Sequence, residues 1–408
     1  MKIAFLASTF LPTIGGAEVV MHNLAIHLRK MGHEVHVITW WGNWSKVRGQ
    51  LPYPVHPLLP RSHTEGDKNR LNGNGAVKPW VSRQVLWYQR RFSFDFIQIH
   101  NAYPFGPLCA QALARAGLPV GMLCTGGDLL YDPSLRYGLR CNPVLGRVLV
   151  ESILACRQIV ATSHLMEAGY CAAGVPPERI VRIPNGVDVA GIARVADPGL
   201  ALRKAHGIPA DAPLLLTVGR NVVAKGYQYI PKVLRVLHDR GLDPWWVVIG
   251  AETECLGDLA VREGVRSRLL TLQTIGGTDS SDWRKRLVDL PSAELVRWYK
   301  TADLYVHPGI LEAFGNIVVE AMAAGVPLVV TEGTGASDCV RKARCGLVAK
   351  TGDVEDMASN IQRLLVDAAL RQEMGGRAKE GAAEYDWPLI AGKYAAAYET
   401  AIRRDHVH

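Results

Sequence analysis

No stretch of this chain stays apolar for long enough to cross a bilayer. No C-x-x-C pair occurs among its eight cysteines. Cys141, Cys156 and Cys171 recur every fifteen residues, but no histidine partners them at metal-site spacing. The thiols are expected to be buried and reduced, with no metal centre. No Arg/Lys-rich run is interleaved with aromatics in the manner of an RNA-binding surface, so nucleic acid is not an expected partner. MKIAFLASTFLP has too short an apolar part for a signal peptide and runs straight into a phosphate-loop pattern. The expected location is cytoplasmic. What is present is globular: 408 residues, 48% hydrophobic and 21% charged, a length that fits two domains of about 200 residues each. A surplus of eight positive charges suits an anionic small ligand or an anionic membrane surface.

The chain is organised around Asp303 to Val330. DLYVHP has the apolar, β-branched look of a buried parallel strand; a glycine-containing turn follows, AMAAG closes a helix with Gly325 at C′, and LVV after Pro327 is a second strand. Glu312 falls in the loop and Glu320 in the helix, eight residues later. Phe314, Gly315, Asn316 and Ile317 set backbone N–H groups at the helix start, where an anion such as phosphate is favoured. A lone carboxylate at a helix start ordinarily serves the dipole, and a mid-helix one ordinarily faces water. The combination is more specific, because two acids flanking an anion-binding turn suit a ligand with both hydroxyls and phosphate. E-x-F-G-x-x-x-x-E-A-M-A-x-G-x-P resembles the E-x7-E signature of retaining glycosyltransferases with the GT-B fold, glycosyltransferase family 4.

The opening of the chain agrees with that resemblance. KIAFLA (2–7) reads as a strand, and a helix with Val20, Leu24, Leu28 and Met31 on one face ends at Gly32 before the strand EVHVIT. Gly15 and Gly16 start that helix. The sequence argues against a nicotinamide site, since G-x-G-x-x-G is absent and the second strand ends in Thr39-Trp40 where a ribose-binding acid belongs. P-x-x-G-G-A-E resembles the family's first loop, which implies that Gly15 and Gly16 lie against the donor diphosphate and the acceptor. Residues 40–80 read as irregular, and 83–92 as a helix with Arg83, Arg90 and Arg91 beside Leu86, Trp87 and Tyr88. Two readings stand for it: a solvated helix, or a peripheral contact with the inner face of a membrane.

DFIQIH (95–100) is a strand ending at His100-Asn101, and VGMLC (120–124) one followed by TGGD. Where many relatives read H-G-x-D, Thr125 stands in the histidine's place and Asp128 follows. His100, Asn101, Thr125 and Asp128 are the candidates for the acceptor or sugar side. PNGVD (184–188) resembles the family's segment at the end of the first domain, and the hinge is expected near residue 190. Residues 189–212 read as linker plus a short helix, 276–292 as an insertion, and 333–340 as a loop.

LLLTVGR (214–220) opens the second domain, with Arg220 and Lys225 bracketing the turn after a strand, an arrangement that suits a diphosphate. The resemblance implies an α/β protein of GT-B type: two Rossmann-like domains, 1–190 and 191–387, their parallel sheets facing a cleft, with a C-terminal helix at about 388–408 returning to the first. It implies a retaining, metal-independent, hexosyltransferase-like enzyme without cofactor, acting on a UDP-, GDP- or ADP-linked sugar and a hydroxyl acceptor, lipid-linked glycans included. Arg220, Lys225 and Glu312 are then catalytic, while Gly15, Gly16, Phe314, Gly315, Asn316, Ile317 and Glu320 bind the donor. A GT-B sugar-nucleotide epimerase and a non-catalytic sugar-nucleotide-binding subunit are the alternatives. A glycan phosphorylase needs a pyridoxal-phosphate lysine site that the sequence does not show.

Overall fold

A computed structural model describes residues 1–59, 77–273, 275 and 291–403. It divides into two units, Met1–Pro184 with Trp387–His408, and Asn185–Asp386. The first is built on seven strands: β1 (Lys2–Ala7), β2 (Glu34–Trp40), β3 (Val55–Leu58), β4 (Phe96–His100), β5 (Val120–Leu123), β6 (Gln158–Ala161) and β7 (Ile180–Arg182). Their order is β3-β2-β1-β4-β5-β6-β7, every neighbouring pair parallel. Helices cover a parallel sheet on both faces, so its central strands are largely apolar; Ile3 to Leu6 are fully buried. The order reverses between β1 and β4, and ligands of open α/β sheets bind beyond the strand C-termini at such a reversal.

The helix Gly16–Lys30 buries Val20, Met21, Leu24, Ala25 and Leu28, and Gly32 at φ +88° turns the chain out of it. Met31, expected on that stripe, is its C-cap and is exposed, because the helical register has already ended. The helix Trp387–Arg403 belongs to this unit as expected. Tyr398 stacks on Phe96 with 4.4 Å between ring centroids, and Gln158 donates to the Ala397 carbonyl at 2.8 Å. The stretch read as irregular from 40 to 80 contains a helix, Trp41–Val47, and the edge strand β3; its following helix starts at Val77. Pro57 inside β3 concealed the strand, since proline removes a ladder donor and is tolerated only at an edge. Residues 60–76 of that expectation lie outside the described residues, as do 276–290 of the expected insertion.

The second unit carries β8 (Leu214–Val218), β9 (Trp245–Ile249), β10 (Leu269–Leu272), β11 (Leu304–His307), β12 (Leu328–Thr331) and β13 (Gly346–Ala349). Their order is β10-β9-β8-β11-β12-β13, again parallel. The reversal falls between β8 and β11, so the loops carrying Arg220, Lys225 and Glu312 leave adjacent strands there. The units part between Pro184 and Asn185, earlier than residue 190. Val187 donates to the Tyr385 carbonyl at 2.8 Å, and its side chain and that of Ile192 join the second unit's core. The 189–212 segment holds two short helices, Val189–Arg194 and Leu200–Ala205, and 333–340 enters a helix at Ala336. All eight cysteines are free; Cys141, Cys171 and Cys255 are exposed, against the expectation of burial throughout. Among the described residues no helix is long and apolar enough to cross a membrane.

Arg203 ties the starts of β8 and β11. Its guanidinium, 6% exposed, donates to the Thr301 hydroxyl (3.0 Å) and carbonyl (2.7 Å), to the Ala212 carbonyl (2.6 Å) and to Asp303 (3.3 Å). Asp303 in turn accepts the Leu214 N–H at 2.8 Å. Arg203→Leu is expected to lower unfolding free energy by about 3–5 kcal/mol, since breaking a buried pair strands its partners. Arg203→Lys recovers only part, lacking the fork. Urea unfolding checks this; a loss below about 1 kcal/mol contradicts the brace.

Candidate active site

Three loops are sewn together at the C-terminal edge of the second sheet. After β8 the chain passes Gly219 (φ +133°) and Arg220, makes a short turn through Val223–Lys225, and leaves at Gly226 (φ +69°). After β11 it runs through Pro308 and Gly309 to Glu312. The amides of Ile310 and Leu311 both donate to the Ala224 carbonyl, at 2.7 and 3.0 Å, which fixes the first two loops. The third, after β12, joins where Gly335 donates to the Glu312 carbonyl at 2.9 Å and Thr334 bridges Glu312.

This stitching brings Lys225 and Glu312 together. The ammonium donates to Glu312 Oε1 at 2.9 Å, each side chain 19% exposed. A Cβ on Gly219 would stand 3.1 Å from Lys225 Nζ, so glycine at that position lets the cation lie close against the strand end. The other carboxylate oxygen, Oε2, lies 2.5 Å from Nε2 of His307, which is fully buried. Neither ring nitrogen makes an aligned hydrogen bond, so the contact is close but off the N–H axis. Burial by itself would raise the Glu312 carboxyl; Lys225 and His307 outweigh it and hold the group far below the ordinary carboxylate range. Sequence reasoning missed His307, although it closes the strand before the motif. Arg220, earlier on the first loop, is exposed and makes no ion pair with a described residue, so its charge is uncommitted.

Gly315, at φ +87°, caps the helix Asn316–Ala323 without a side chain to accept from its first-turn amides. A Cβ there would sit 3.3 Å from that of Ala336 and 3.9 Å from Glu312 Oε2. Phe314 is buried 6.2 Å from the Tyr385 ring, and Ile317 is half-buried. Asn316 Oδ1 accepts from Asn185 at 2.8 Å, which gives the asparagine of PNGVD a place at the motif helix that the sequence did not announce. Glu320 accepts from the Tyr299 hydroxyl at 2.9 Å. The residue keeps an open side, yet its carboxyl head is deep enough that burial pushes its pKa up to about 7, against the lowering effect of Tyr299.

In the first unit Gly15 caps the helix beginning at Gly16, in extended backbone at φ −139°. The carboxylate of Glu18 folds over it, 2.7 Å from where a Gly15 Cβ would stand. Asn101, in left-handed backbone at φ +63°, donates to Thr9 Oγ1 at 3.2 Å and accepts from the Thr125 hydroxyl at 2.6 Å. These two candidates therefore meet. His100 does not join them as a cation, because its ring is buried edge-on to Phe5 and burial lowers its pKa to about 3. Asp128 departs from the ligand-facing role expected of it. Its oxygens accept the amides of Thr125 and Gly126, at 3.0 Å each, and of Ala102 at 2.8 Å, so it braces the turns after β4 and β5. An acid following two glycines in a tight turn is placed to collect such amides. Among the described residues no three His, Cys, Asp or Glu side chains converge as a metal would need.

Residues 14–190 match the family model described as Glycosyltransferase Family 4, and residues 200–381 the one described as Glycosyl transferases group 1. The chain is similar to a D-inositol 3-phosphate glycosyltransferase of Pseudarthrobacter chlorophenolicus, 26% identical over 400 residues that cover 97% of this chain and 92% of that protein. A phosphatidyl-myo-inositol mannosyltransferase of Mycolicibacterium smegmatis is 27% identical over 413 residues, covering 98% and 94%. Among solved structures, Anabaena HepE in complex with UDP superposes with a TM-score of 0.75 at 19% identity, over 98% of this chain and 100% of that one. With two parallel-sheet units, the E-x7-E acids on one loop and helix, and both family models matched in order, the chain belongs to glycosyltransferase family 4 and has the GT-B fold.

Proposed function

We propose that this glycosyltransferase moves a sugar from a nucleoside-diphosphate donor to a hydroxyl acceptor with retention of anomeric configuration. The observation that carries this reading is the Lys225–Glu312 pair fixed at the β8/β11 reversal, beside a helix start capped by glycine. Lys225 and Arg220 neutralise the charge that grows on the departing diphosphate, a task worth roughly 3 kcal/mol per well-placed donor. Glu312 holds donor-sugar hydroxyls with the first-turn amides. Glu320 accepts the ribose hydroxyls, since two adjacent O–H donors suit one carboxylate. In the transfer the bond from C1 to the diphosphate oxygen breaks, the acceptor oxygen bonds C1 on the same face, and the acceptor's proton passes to the leaving oxygen. No protein nucleophile is required, and the two cations fill the place a divalent metal holds in other transferases. The UDP in the HepE structure and the inositol phosphates in the relatives' names support a nucleotide donor and a polyol acceptor.

A melting-temperature panel of UDP-, GDP- and ADP-sugars should single out one donor. That donor should then release nucleoside diphosphate in EDTA, and the product's anomeric proton coupling should match the donor's. An inverted product sinks retention; no stabilising donor and no diphosphate release sink the reading.

Glu320→Ala is expected to raise donor KM about tenfold with kcat nearly unchanged, the loss of a charge-assisted hydrogen bond. The ionised carboxylate is the better acceptor, and in the free site it titrates near 7. Donor kcat/KM should therefore rise with pH through an acid limb near 7. Glu320→Gln should abolish that limb; a limb of the same midpoint in the variant removes Glu320 from it.

A further inference from the structure

We infer that His307 is a positioning residue for sugar transfer, fixing the Glu312 carboxylate so that its other oxygen holds the Lys225 ammonium beside the end of β8. This rests on the transfer reading above. Two electronegative atoms 2.5 Å apart repel unless one of them carries a hydrogen on the facing side, so His307 Nε2 carries one on the Glu312 side, off the line between the two atoms. The ring cannot swing away. It is fully buried at the last position of β11, and a Cβ on Gly309 would fall 2.8 Å from Nε2 and 2.6 Å from Thr334 Cγ2. The Gly309 carbonyl is itself held by the Thr331 hydroxyl, so that lid does not lift. Glu312 thus has one oxygen on a rigid ring and the other on a flexible lysine stem. Rigidity passes from the ring through the carboxylate to the cation.

The charged groups around this contact are Lys225 and Glu312. The nearby phenols of Tyr227 and Tyr305 are pushed well above their ordinary range by burial and stay neutral. His307→Leu should leave Glu312 free to rotate and Lys225 free to wander. Misplacement of a charge by about 1 Å costs on the order of a hundredfold in rate, so kcat should fall about 10- to 100-fold while donor KM stays within about twofold. His307→Gln carries no charge but can donate to Oε2, and should recover most of kcat.

The assay is nucleoside diphosphate release with the sugar nucleotide selected by the melting panel. A leucine variant with wild-type kcat overturns the inference, and so does a glutamine variant no better than leucine. A measurement on the unaltered protein stands beside these in case leucine does not fold. With 15N-labelled histidine, the His307 signal (identified by its loss in His307→Gln) should show a protonated Nε2 at pH 7; an unprotonated Nε2 there overturns the lock. If the unaltered protein turns over no donor, the transfer reading fails while the nitrogen signal still decides the His307–Glu312 contact.

Discussion

Lys225→Ala is expected to lose between about a hundred- and a thousandfold in kcat, with donor KM moving less than about threefold. On the proposed reading the ammonium lies where charge grows as the diphosphate departs; it is held in place by the partly buried Glu312 and backed by Gly219. A group that matters chiefly in the transition state lowers kcat and kcat/KM together when removed. The same variant removes Lys225, the largest lowering influence on Glu312, so its carboxyl rises from its depressed value. A carboxyl with a lowered folded pKa stabilises the protein above its unfolded value of 4.5, and that contribution disappears as pH falls through the folded value. The melting difference between wild type and Lys225→Ala should therefore be largest at neutral pH and shrink in acid below about 4.5. Stopped assays and melting curves at pH 7 and pH 4 check both halves. A variant with kcat within threefold of wild type takes lysine out of the chemistry.

Gly226→Ala is expected to damage stability and rate at once. Gly226 sits at φ +69°, which for alanine costs roughly 1–2 kcal/mol. Its added methyl would also stand 1.9 Å from the Pro308 carbonyl oxygen, a backbone atom pinned by the stitches from Ile310 and Leu311 to Ala224. The loops must part to admit it, so the full loss is expected at about 3–4 kcal/mol. At 2–4 °C per kcal/mol in a unit of this size, melting should fall by roughly 6–16 °C. A loop displaced by about 1 Å should also cost kcat at least tenfold. Gly207→Ala separates the two causes, because Gly207 has nearly the same φ, +68°, and nothing within 4 Å of the added carbon. It should show only the backbone cost and keep full activity. Equal damage in both variants means that the loops are not stitched as described.

Much of this was legible from residues alone, for identifiable reasons. β1, β8 and β11 are central strands of parallel sheets, and such strands announce themselves as short apolar runs. The motif helix carries its own stop, since Gly325 takes φ +79° where left-handed backbone is needed. Lys225 and Glu312 were expected to serve one ligand, and their contact follows from leaving adjacent strands. The rest depends on tertiary placement. β3 is an edge strand with a proline inside it and shows little alternation. His307 reads as one more strand residue until the loop folds Glu312 back over its ring. Asp128 reads as a ligand group because the Ala102 amide that claims its second oxygen comes from 26 residues away and shows only in the fold. The boundary reads late in the sequence because VDVAG continues the PNGVD segment smoothly, and the Val187–Tyr385 pairing shows which unit holds it.

Calorimetric titration with a nucleoside and with its diphosphate, on wild type and on the Arg220→Ala/Lys225→Ala double variant, tests most directly whether these cations grip a diphosphate. With the base chosen by the melting panel, wild type should bind the diphosphate about 10- to 100-fold more tightly than the nucleoside, as charge-assisted bonds of about 1.5–3 kcal/mol require. The double variant should bind the two alike. If it keeps the same preference for the diphosphate as wild type, the phosphates are held elsewhere and Lys225 is no more than a partner for Glu312.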